Sequence, residues 1–373
     1  MLARRLESGM SELERRVVLG SVLWALAVAL LAGRVSAHVD YVTDPPAATR
    51  DAIEFAVEVL SDPLNAALVG GATLGVVGLL TALLVTRPRI PDIDALRAAL
   101  DSYREYVPWM LRLSLGLPLV GAGFAGYFFS PAVPVEARLF QVAVGFLLLF
   151  GLATRAVAAV GLVTYLATLV FNPELVLAIE YVPGFLAVIL VGSGRPSADH
   201  MLGQVAGTPG TVYGRIDPVH GVAERFAARI EPYERYVATV LRVGLGVAFG
   251  YLGLVEKLAN PSRAVQVVAK YDLTSVVPVD PGLWVLGAGL TEVGVGLLLV
   301  VGYYARGAAA VAFTMLVLTL FGLPDDPVLA HITLFGMISA IFTLGAGPLS
   351  LDARLTASED RRESREETAP AAD

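Results

Sequence analysis

The chain has 373 residues, of which 56% are hydrophobic and 16% are charged, and its formal net charge is −7. Soluble domains carry about a quarter charged residues, whereas here the charges cluster between long apolar stretches, which indicates a lipid bilayer rather than a soluble core. Because the chain has no cysteine, disulfides, thiolate metal sites, Cys-ligated iron–sulfur clusters and thiol catalysis are excluded for this polypeptide.

A helix needs about 20 apolar residues to cross the hydrocarbon, with about 17 as the lower limit. The sequence therefore predicts an all-α integral membrane protein with ten transmembrane helices, at about Val17–Gly33, Pro63–Thr86, Leu111–Phe129, Ala137–Gly151, Ala156–Phe171, Leu175–Gly192, Val237–Leu258, Pro281–Val301, Gly307–Phe321 and Val328–Gly345.

The first predicted span has an alternative interpretation. Val35-Ser36-Ala37 offers small residues to a signal peptidase, and arginines precede the apolar run. Cleavage would remove residues 1–37 and leave His38 at the N-terminus. The run of 17 residues is long for the apolar region of a signal peptide, which favours a retained span.

The positive-inside rule gives an orientation. With the N-terminus in the cytoplasm, most arginines fall in inner segments, including those at Arg155 and Arg306 in two short hairpins. The outer segments are mostly acidic or neutral, so we expect a multi-pass cell-membrane protein with both termini cytoplasmic. Topology and lipid headgroup contact would then explain the arginines at inner helix ends, Arg112, Arg155, Arg242 and Arg306.

A polar segment, Ser193–Arg235, interrupts the spans, and its amphipathic stretch Val222–Tyr236 is typical of an interfacial helix. We therefore divide the chain into an N-terminal region with two spans (1–106), a four-helix unit (107–200), a cytoplasmic linker (201–236), a second four-helix unit (237–353) and a disordered acidic tail (354–373). The acidic composition, with arginine far in excess of lysine, is typical of a salt-in halophile.

The two four-helix units repeat each other. Tyr103–Arg112 recurs as Tyr233–Arg242 at an offset of 130, and this register holds without a gap as far as the matched pair Pro131 and Pro261. After a longer loop in the second copy, further matches return: Gln141–Gly145 with Glu292–Gly296, Gly151 and Arg155 with Gly302 and Arg306, and Gly192–Pro196 with Gly345–Pro348. Both ends of each copy lie on one side, so the repeats are parallel rather than inverted.

The second copy resembles the DoxX family of four-helix membrane proteins. The resemblance covers residues 237–353 well and 107–200 weakly, and its motifs are Leu241–Gly246, Gly253–Leu258, Glu292–Gly302, Arg306 and Gly345–Asp352. It implies a four-helix membrane unit, and the family takes its name from thiosulfate:quinone oxidoreductases. A fold resemblance alone does not establish an activity.

The first copy departs from the pattern at its charged positions. Gly126 and Tyr127 stand where the second copy has Glu256 and Lys257, Gln141 replaces Glu292, and Ala178 aligns with His331. Glu180, a carboxylate of the sixth span, is interpreted as structural or water-exposed. We therefore expect the first copy to be a scaffold and the second to hold any site.

Ionisable groups within a span are costly and need a partner or a role. Glu292 lies near the middle of the eighth span, Glu256 and Lys257 end the seventh, and His331 begins the tenth. With Lys257, Glu292 and His331 in a catalytic role and Tyr251, Glu256 and Thr291 in a binding role, the group could bind a quinone head group and exchange its protons.

A structural interpretation of the same residues stays open. Lys257 would reach the outer interface, Glu292 would be neutral or paired for helix packing, and His331 would cap a helix. With four histidines, of which His331 alone lies in an apolar segment, we expect no bis-His haem. We also expect no iron–sulfur cluster and no metal site, and without a basic patch we expect no nucleic-acid partner.

Three functions follow as hypotheses. The first is a membrane subunit of a quinone-linked oxidoreductase, possible substrates being sulfur compounds such as thiosulfate, with its own catalytic turnover left open. The second is a non-catalytic scaffold that docks a redox or stress-response partner through the 193–235 loop. The third is a small-solute carrier, although no pair of Gly/Pro-broken helices matches between the copies.

Overall fold

The computed structural model describes residues 51–86, 88, 90–136, 138–216, 220–323 and 328–358. The predicted first span Val17–Gly33, its signal-peptide alternative and the end of the acidic tail lie outside the described residues. The helices are α1 Ala52–Ser61, α2 Pro63–Thr86, α3 Pro91–Ser102, α4 Val107–Ala125, α5 Arg138–Phe150, α6 Thr154–Phe171, α7 Tyr181–Val191, α8 Ala198–Gly207, α9 Val212–Ile216, α10 His220–Ile230, α11 Val237–Tyr251, α12 Pro261–Lys270, α13 Leu273–Val276, α14 Pro281–Val301, α15 Ala305–Gly322 and α16 Val328–Leu344.

The helices fit a multi-pass membrane protein. Six helical segments of the described chain are long and apolar enough to cross a bilayer: Pro63–Thr86, Arg104–Ala125, Thr154–Phe171, Gly221–Leu258, Pro281–Val301 and Ala305–Gly322. Three shorter apolar helices, Arg138–Phe150, Tyr181–Val191 and His331–Leu344, lie at the other predicted spans. The predicted α-helical membrane architecture is thus confirmed apart from one short hairpin, whereas the count of ten spans stays a prediction.

Two predicted spans differ in detail from the structure. The third was expected to run to Phe129 but ends at Ala125, because Gly126 adopts a left-handed conformation (φ 86°) that stops the helix. A hairpin of β1 Tyr127–Phe128 and β2 Ser130–Pro134 follows. The sixth span opens as a 3₁₀ segment, Pro173–Ala178, before α7 begins.

The helices form two groups that share one apolar core. We call α4–α7 the first unit and α11 with α14–α16 the second unit. Within the units α4 packs on α5, α6 on α7, α11 on α14 and α15 on α16; between the units α16 packs along α4, and α7 packs on α11. Each unit therefore gives its first and fourth helices to the contact with the other.

Two glycines allow this contact between the units. A Cβ added to Gly336 of α16 would lie 2.1 Å from Ser114 Cβ of α4, and one added to Gly244 of α11 would lie 2.3 Å from Pro183 of α7. Small residues let helices approach closely where lipid offers no hydrophobic driving force.

Each unit has a buried arginine at one end, and this arginine ties together segments of its own unit. Arg112 and Arg242 are each 1% exposed, so the expectation that headgroup contact explains them is wrong. Their guanidiniums instead bind carbonyls that helix ends leave without partners and carbonyls of the loops beside them. Arg242 donates to the carbonyls of Ala346 (2.8 Å), Leu299 (3.0 Å), Val300 (2.6 Å) and Leu349 (2.7 Å), and Arg112 donates to those of Leu149 (3.3 Å) and Pro196.

A second pair of arginines links each unit to the chain that precedes the other. Arg155 of the first unit binds the carbonyls of Ile189 and Leu190 and pairs with Glu234 at 3.3 Å. Arg306 of the second unit binds the carbonyls of Phe342 and Thr343 and pairs with Asp101 at 3.3 Å. The two ion pairs therefore cross between the units in opposite directions.

A small cap covers the start of α14. The apolar sides of α1 and α12 pack there as a separate cluster around Phe55, Val59, Val268, Val285 and Leu286. The cap lies at the end of the second unit that is opposite Arg242. Glu256, Lys257 and Glu292, the charged residues singled out from the sequence, lie toward this same end.

Candidate functional site

An ion pair joins the seventh and eighth predicted spans. Lys257 Nζ lies 2.8 Å from Glu292 Oε1 and 2.7 Å from Oε2, so the ammonium bridges both carboxylate oxygens. The Glu292 side chain is 13% exposed and that of Lys257 is 29% exposed. The structure thus brings together two of the three residues predicted to be catalytic.

Two glycines set the distance between the helices that carry this pair. A Cβ added to Gly253 would lie 2.7 Å from the Gly289 carbonyl oxygen and 2.9 Å from Glu292 Cβ, and one added to Gly289 would lie 2.7 Å from the Leu258 side chain. The backbones therefore approach closely enough for Glu292 to meet a side chain from the opposite helix.

The seventh span changes helix type where it reaches the site. After Tyr251 the chain continues as a π-helix, Leu252–Leu258, and the Ala259 N–H donates to the Leu254 carbonyl at 2.8 Å. Such wide turns are rare in proteins, and those that do occur often lie at functional sites. This one holds Glu256 and Lys257, and the sequence pattern gave no sign of it.

Glu256 and Tyr251 are buried next to the ion pair. Glu256 is 9% and Tyr251 6% exposed, and each interacts electrostatically with the other. The Tyr251 hydroxyl and Glu256 Oε1 make no hydrogen bond with any described residue. A buried polar atom without a partner costs about 1–3 kcal/mol, so these two atoms are polar groups of the site that the described residues leave without a hydrogen bond.

A cation that the sequence analysis did not assign to the site lies beside Glu256. Arg263 of α12 is buried, at 6% exposed, and both Arg263 and Lys257 act electrostatically on the Glu256 carboxylate. The signal was present in the sequence, because Arg263 and Lys270 are cations in a segment that the positive-inside rule places outside, where most segments are acidic or neutral.

Two of the predicted site residues are placed differently. Thr291 lies on an exposed face of α14, and its hydroxyl donates to the Gly287 carbonyl at 2.6 Å. His331 is half-buried in α16, a helix that packs mainly on α4 and α15. Roles for Thr291 in binding and His331 in catalysis stay predictions.

The residue of the first unit equivalent to Glu292 is a neutral amide, Gln141. Gln141 is buried, its amide nitrogen donates to the carbonyls of Leu119 and Tyr127 (3.2 Å each), and its oxygen accepts from the Phe129 N–H at 3.1 Å. Glu180, which begins α7, is 5% exposed, so the burial agrees with its structural interpretation rather than with water exposure.

One comparison with known proteins matches a stretch of the second unit. Residues 237–324 match the model of the DoxX family, a stretch that contains both partners of the ion pair and ends before His331. The match covers less than half of the chain. Neither the curated proteins nor the solved structures contain a match to this chain. In the part of the chain that the structure describes, no group of three or more His, Cys, Asp or Glu residues could hold a metal ion.

Proposed function

We propose that this chain is the membrane subunit of a quinone-linked oxidoreductase system and that its second unit binds the quinone head group. The observation that carries the proposal is the Lys257–Glu292 ion pair between two apolar helices. Placing an ion pair between membrane helices costs free energy, and ionisable residues in such places commonly mark functional sites. Both side chains of this pair are partly exposed, so a ligand can reach them.

The residues around the pair fit a quinone head group. Its two carbonyl oxygens need hydrogen-bond donors, and the Lys257 ammonium and the buried Tyr251 hydroxyl are donors. The unsatisfied Glu256 Oε1 supplies an acceptor for the reduced form, which carries hydroxyl groups. The neighbouring apolar helix surfaces suit a lipid-soluble molecule.

A quinone bound there would supply two-electron, two-proton chemistry. The two electrons would come from a separate donor, for which the resemblance implies a reduced sulfur compound such as thiosulfate. The chain's own part is to hold the head group through Lys257 and Tyr251 and to move protons through Glu292 and Glu256. Burial disfavours the charged form of the Glu256 carboxylate, and Arg263 and Lys257 offset part of that cost.

Quinone content of the purified protein tests this proposal. Wild-type protein from native membranes should retain quinone detectable by mass spectrometry. Glu292→Gln and Lys257→Met should each weaken binding by about tenfold or more, since a hydrogen bond to a charged group contributes about 1.5–3 kcal/mol. Glu180→Gln, the same change at a buried carboxylate of the first unit, is the matched control and should bind normally. The proposal would be refuted if the wild-type protein contained no quinone and Glu292→Gln left membrane electron transfer unchanged.

We further propose that the two units are tandem repeats in parallel orientation, with the first as scaffold and both termini cytoplasmic. The support is the equivalence of contacts. Asp199 binds the N–H groups of Ala153 and Thr154, and Asp352 binds those of Tyr304 and Ala305, at matching places. Arg112 and Arg155 correspond in the same way to Arg242 and Arg306. Reporter fusions at both termini test the orientation.

A scaffold function is the second candidate, and the linker favours it. The helices α8–α10 expose large apolar side chains in pairs four residues apart: Met201 and Val205, Val212 and Ile216, and Val222 and Phe226. Such a surface suits either the membrane interface or a redox partner. If it docks a partner, replacing 201–216 with a Gly/Ser linker should abolish co-purification of that partner while the spans still insert. Retained co-purification would rule this function out.

A further inference from the structure

A cavity lies where the cap meets the starts of α2 and α14. Its volume is about 640 Å³, which falls within the range of about 300–1,000 Å³ that is usual for small-molecule sites. Helix α1 contributes Phe55 and Val59 to its wall, α12 contributes Val265, and the starts of α2 and α14 complete it. No residue of the proposed quinone site is among the described residues that line the cavity, so an inference about its ligand is independent of quinone binding.

The charged part of the cavity wall is acidic. It consists of Glu58, Asp62 and Asp280, and the described residues that line the cavity include no lysine, arginine or histidine. Asp280 caps the start of α14, and Asp62 accepts from the first N–H groups of α2. A helix start carries only about half a positive charge, which is less than the full negative charge of the aspartate beside it. The cavity therefore attracts a cation.

Each of these two aspartates uses one carboxylate oxygen for its helix. Asp62 Oδ1 accepts from two N–H groups of α2 at 2.8 and 3.1 Å, and Asp280 Oδ1 accepts from two N–H groups of α14 at 2.8 and 3.2 Å. In the described structure the Oδ2 atom of neither aspartate accepts a hydrogen bond. Each residue thus keeps one charged acceptor for a ligand while its other oxygen holds the side chain in place.

Asn65 adds a third acceptor, and it is the observation that points most directly to a ligand. It lines the cavity and is only 9% exposed, the one buried residue of α2 among those described. Its Nδ2 donates to the Val59 carbonyl at 3.2 Å, which fixes the orientation of the amide. Its Oδ1 accepts from no described residue. Because a buried acceptor without a hydrogen bond is costly, a donor bound in the cavity would be stabilised there.

We propose that this cavity binds an organic cation that consists of a primary ammonium group on an apolar body. An ammonium has three N–H donors, and the cavity offers three acceptors without a described partner: Asp62 Oδ2, Asp280 Oδ2 and Asn65 Oδ1. Hydrogen bonds between charged groups are strong enough to offset the removal of the ammonium from water. Phe55 and Val59 provide an apolar wall for the body of the ligand.

Binding of phenylbutylamine to the full-length protein tests the proposal, with phenylbutanol as a neutral ligand of the same shape. The protein is placed in nanodiscs of zwitterionic lipid, and binding is measured by equilibrium dialysis against empty nanodiscs. The amine should bind saturably. The alcohol should bind at least about tenfold more weakly, because it lacks the charge that strengthens hydrogen bonds to carboxylates.

Three matched variants locate the bound amine. Asp62→Asn and Asp280→Asn each remove a charge but keep the helix start satisfied, because asparagine caps a helix as well as aspartate does. Each should weaken amine binding by about tenfold or more and leave alcohol binding unchanged. Asp51→Asn is the control, because Asp51 caps α1 in the same way but does not line the cavity, and it should bind the amine normally.

Three results would overturn the proposal. The first is an absence of saturable amine binding to the wild-type protein, and the second is equal binding of the amine and the alcohol. The third is an amine affinity that Asp62→Asn and Asp280→Asn change no more than Asp51→Asn does.

Discussion

The two units of this protein share one end and differ at the other. At the shared end, buried arginines bind helix-end carbonyls in both, and Asp199 and Asp352 cap equivalent helices. At the other end, the first unit has a short hairpin around Gln141, whereas the second has a π-helix, helix α12 and the Lys257–Glu292 pair. The shared end is therefore what the architecture needs, and the other end is where a function can be sought.

The difference between Gln141 and Glu292 is the most informative part of this comparison. Both side chains reach aligned positions of the neighbouring segment, since Gln141 binds the carbonyl of Tyr127 in the β1 strand and Glu292 binds Lys257 in the π-helix. A buried amide with all its groups satisfied is stable in lipid without further help. An amide such as Gln141 would pack at the Glu292 position at a lower desolvation cost than the partly exposed Lys257–Glu292 ion pair. The presence of the ion pair therefore argues for a role beyond packing.

The largest expected effect tests whether the shared end is equally important in both units. Arg242→Gln removes a buried guanidinium that binds four carbonyls, so we expect the free energy of unfolding to fall by about 3–5 kcal/mol. Arg112→Gln should cost less, because Arg112 binds two carbonyls and its Nε makes no hydrogen bond with a described residue. Thermal unfolding in detergent measures both, and equal losses would contradict the difference.

Reciprocal exchange of the central residues sharpens the comparison. Gln141→Glu turns a carboxylate toward the carbonyls of Leu119 and Tyr127, and we expect a loss of about 3 kcal/mol in stability from a buried, unpaired charge. Glu292→Gln should lose only about 1 kcal/mol, because an amide oxygen can still accept from Lys257. Denaturation of the two variants in the same detergent decides the point. A larger loss for Glu292→Gln would show that its pair is mainly structural.

A smaller effect is expected from the glycines beside the ion pair. Gly253→Ala places a Cβ 2.7 Å from the Gly289 carbonyl oxygen, so we expect a loss of about 1–3 kcal/mol from forced separation. Gly250→Ala is the matched control three residues earlier, where an added Cβ meets no described atom within 4 Å. It should be neutral or more stable by up to about 1 kcal/mol, and a loss equal to that of Gly253→Ala would refute the close-contact explanation.

The smallest effect belongs to the crossed ion pairs. Glu234→Gln and Asp101→Asn each remove a partly exposed partner of an arginine that also binds two carbonyls. We expect losses below about 1 kcal/mol from either change, as for exposed ion pairs elsewhere. Melting temperatures at low and high salt provide the measurement, and a large drop in either variant would mean that the pairs hold the units together.

The sequence predicted the membrane class and most helix positions, because apolar length is a strong signal. It also placed Glu292, Lys257 and Glu256 in one region from charge alone. It missed the π-helix, since nothing in residues 252–258 distinguishes five-residue from four-residue hydrogen bonding. The hairpin after Gly126 was missed because the apolar run continues past the glycine as far as Phe129. The burial of Arg112 and Arg242 was missed because arginines at helix ends resemble surface anchors until the loop carbonyls fold over them.

The contact between α4 and α16 has a consequence for how the protein is made. Helix α4 leaves the ribosome long before α16 is synthesised, and at about 5–20 residues per second the interval is about 10–45 s. Through that time the face of α4 around Ser114 must rest against lipid or an insertion factor. Assembly is therefore completed only after α16 has been synthesised, and a chain truncated before α16 would leave the first unit without the helix that closes it.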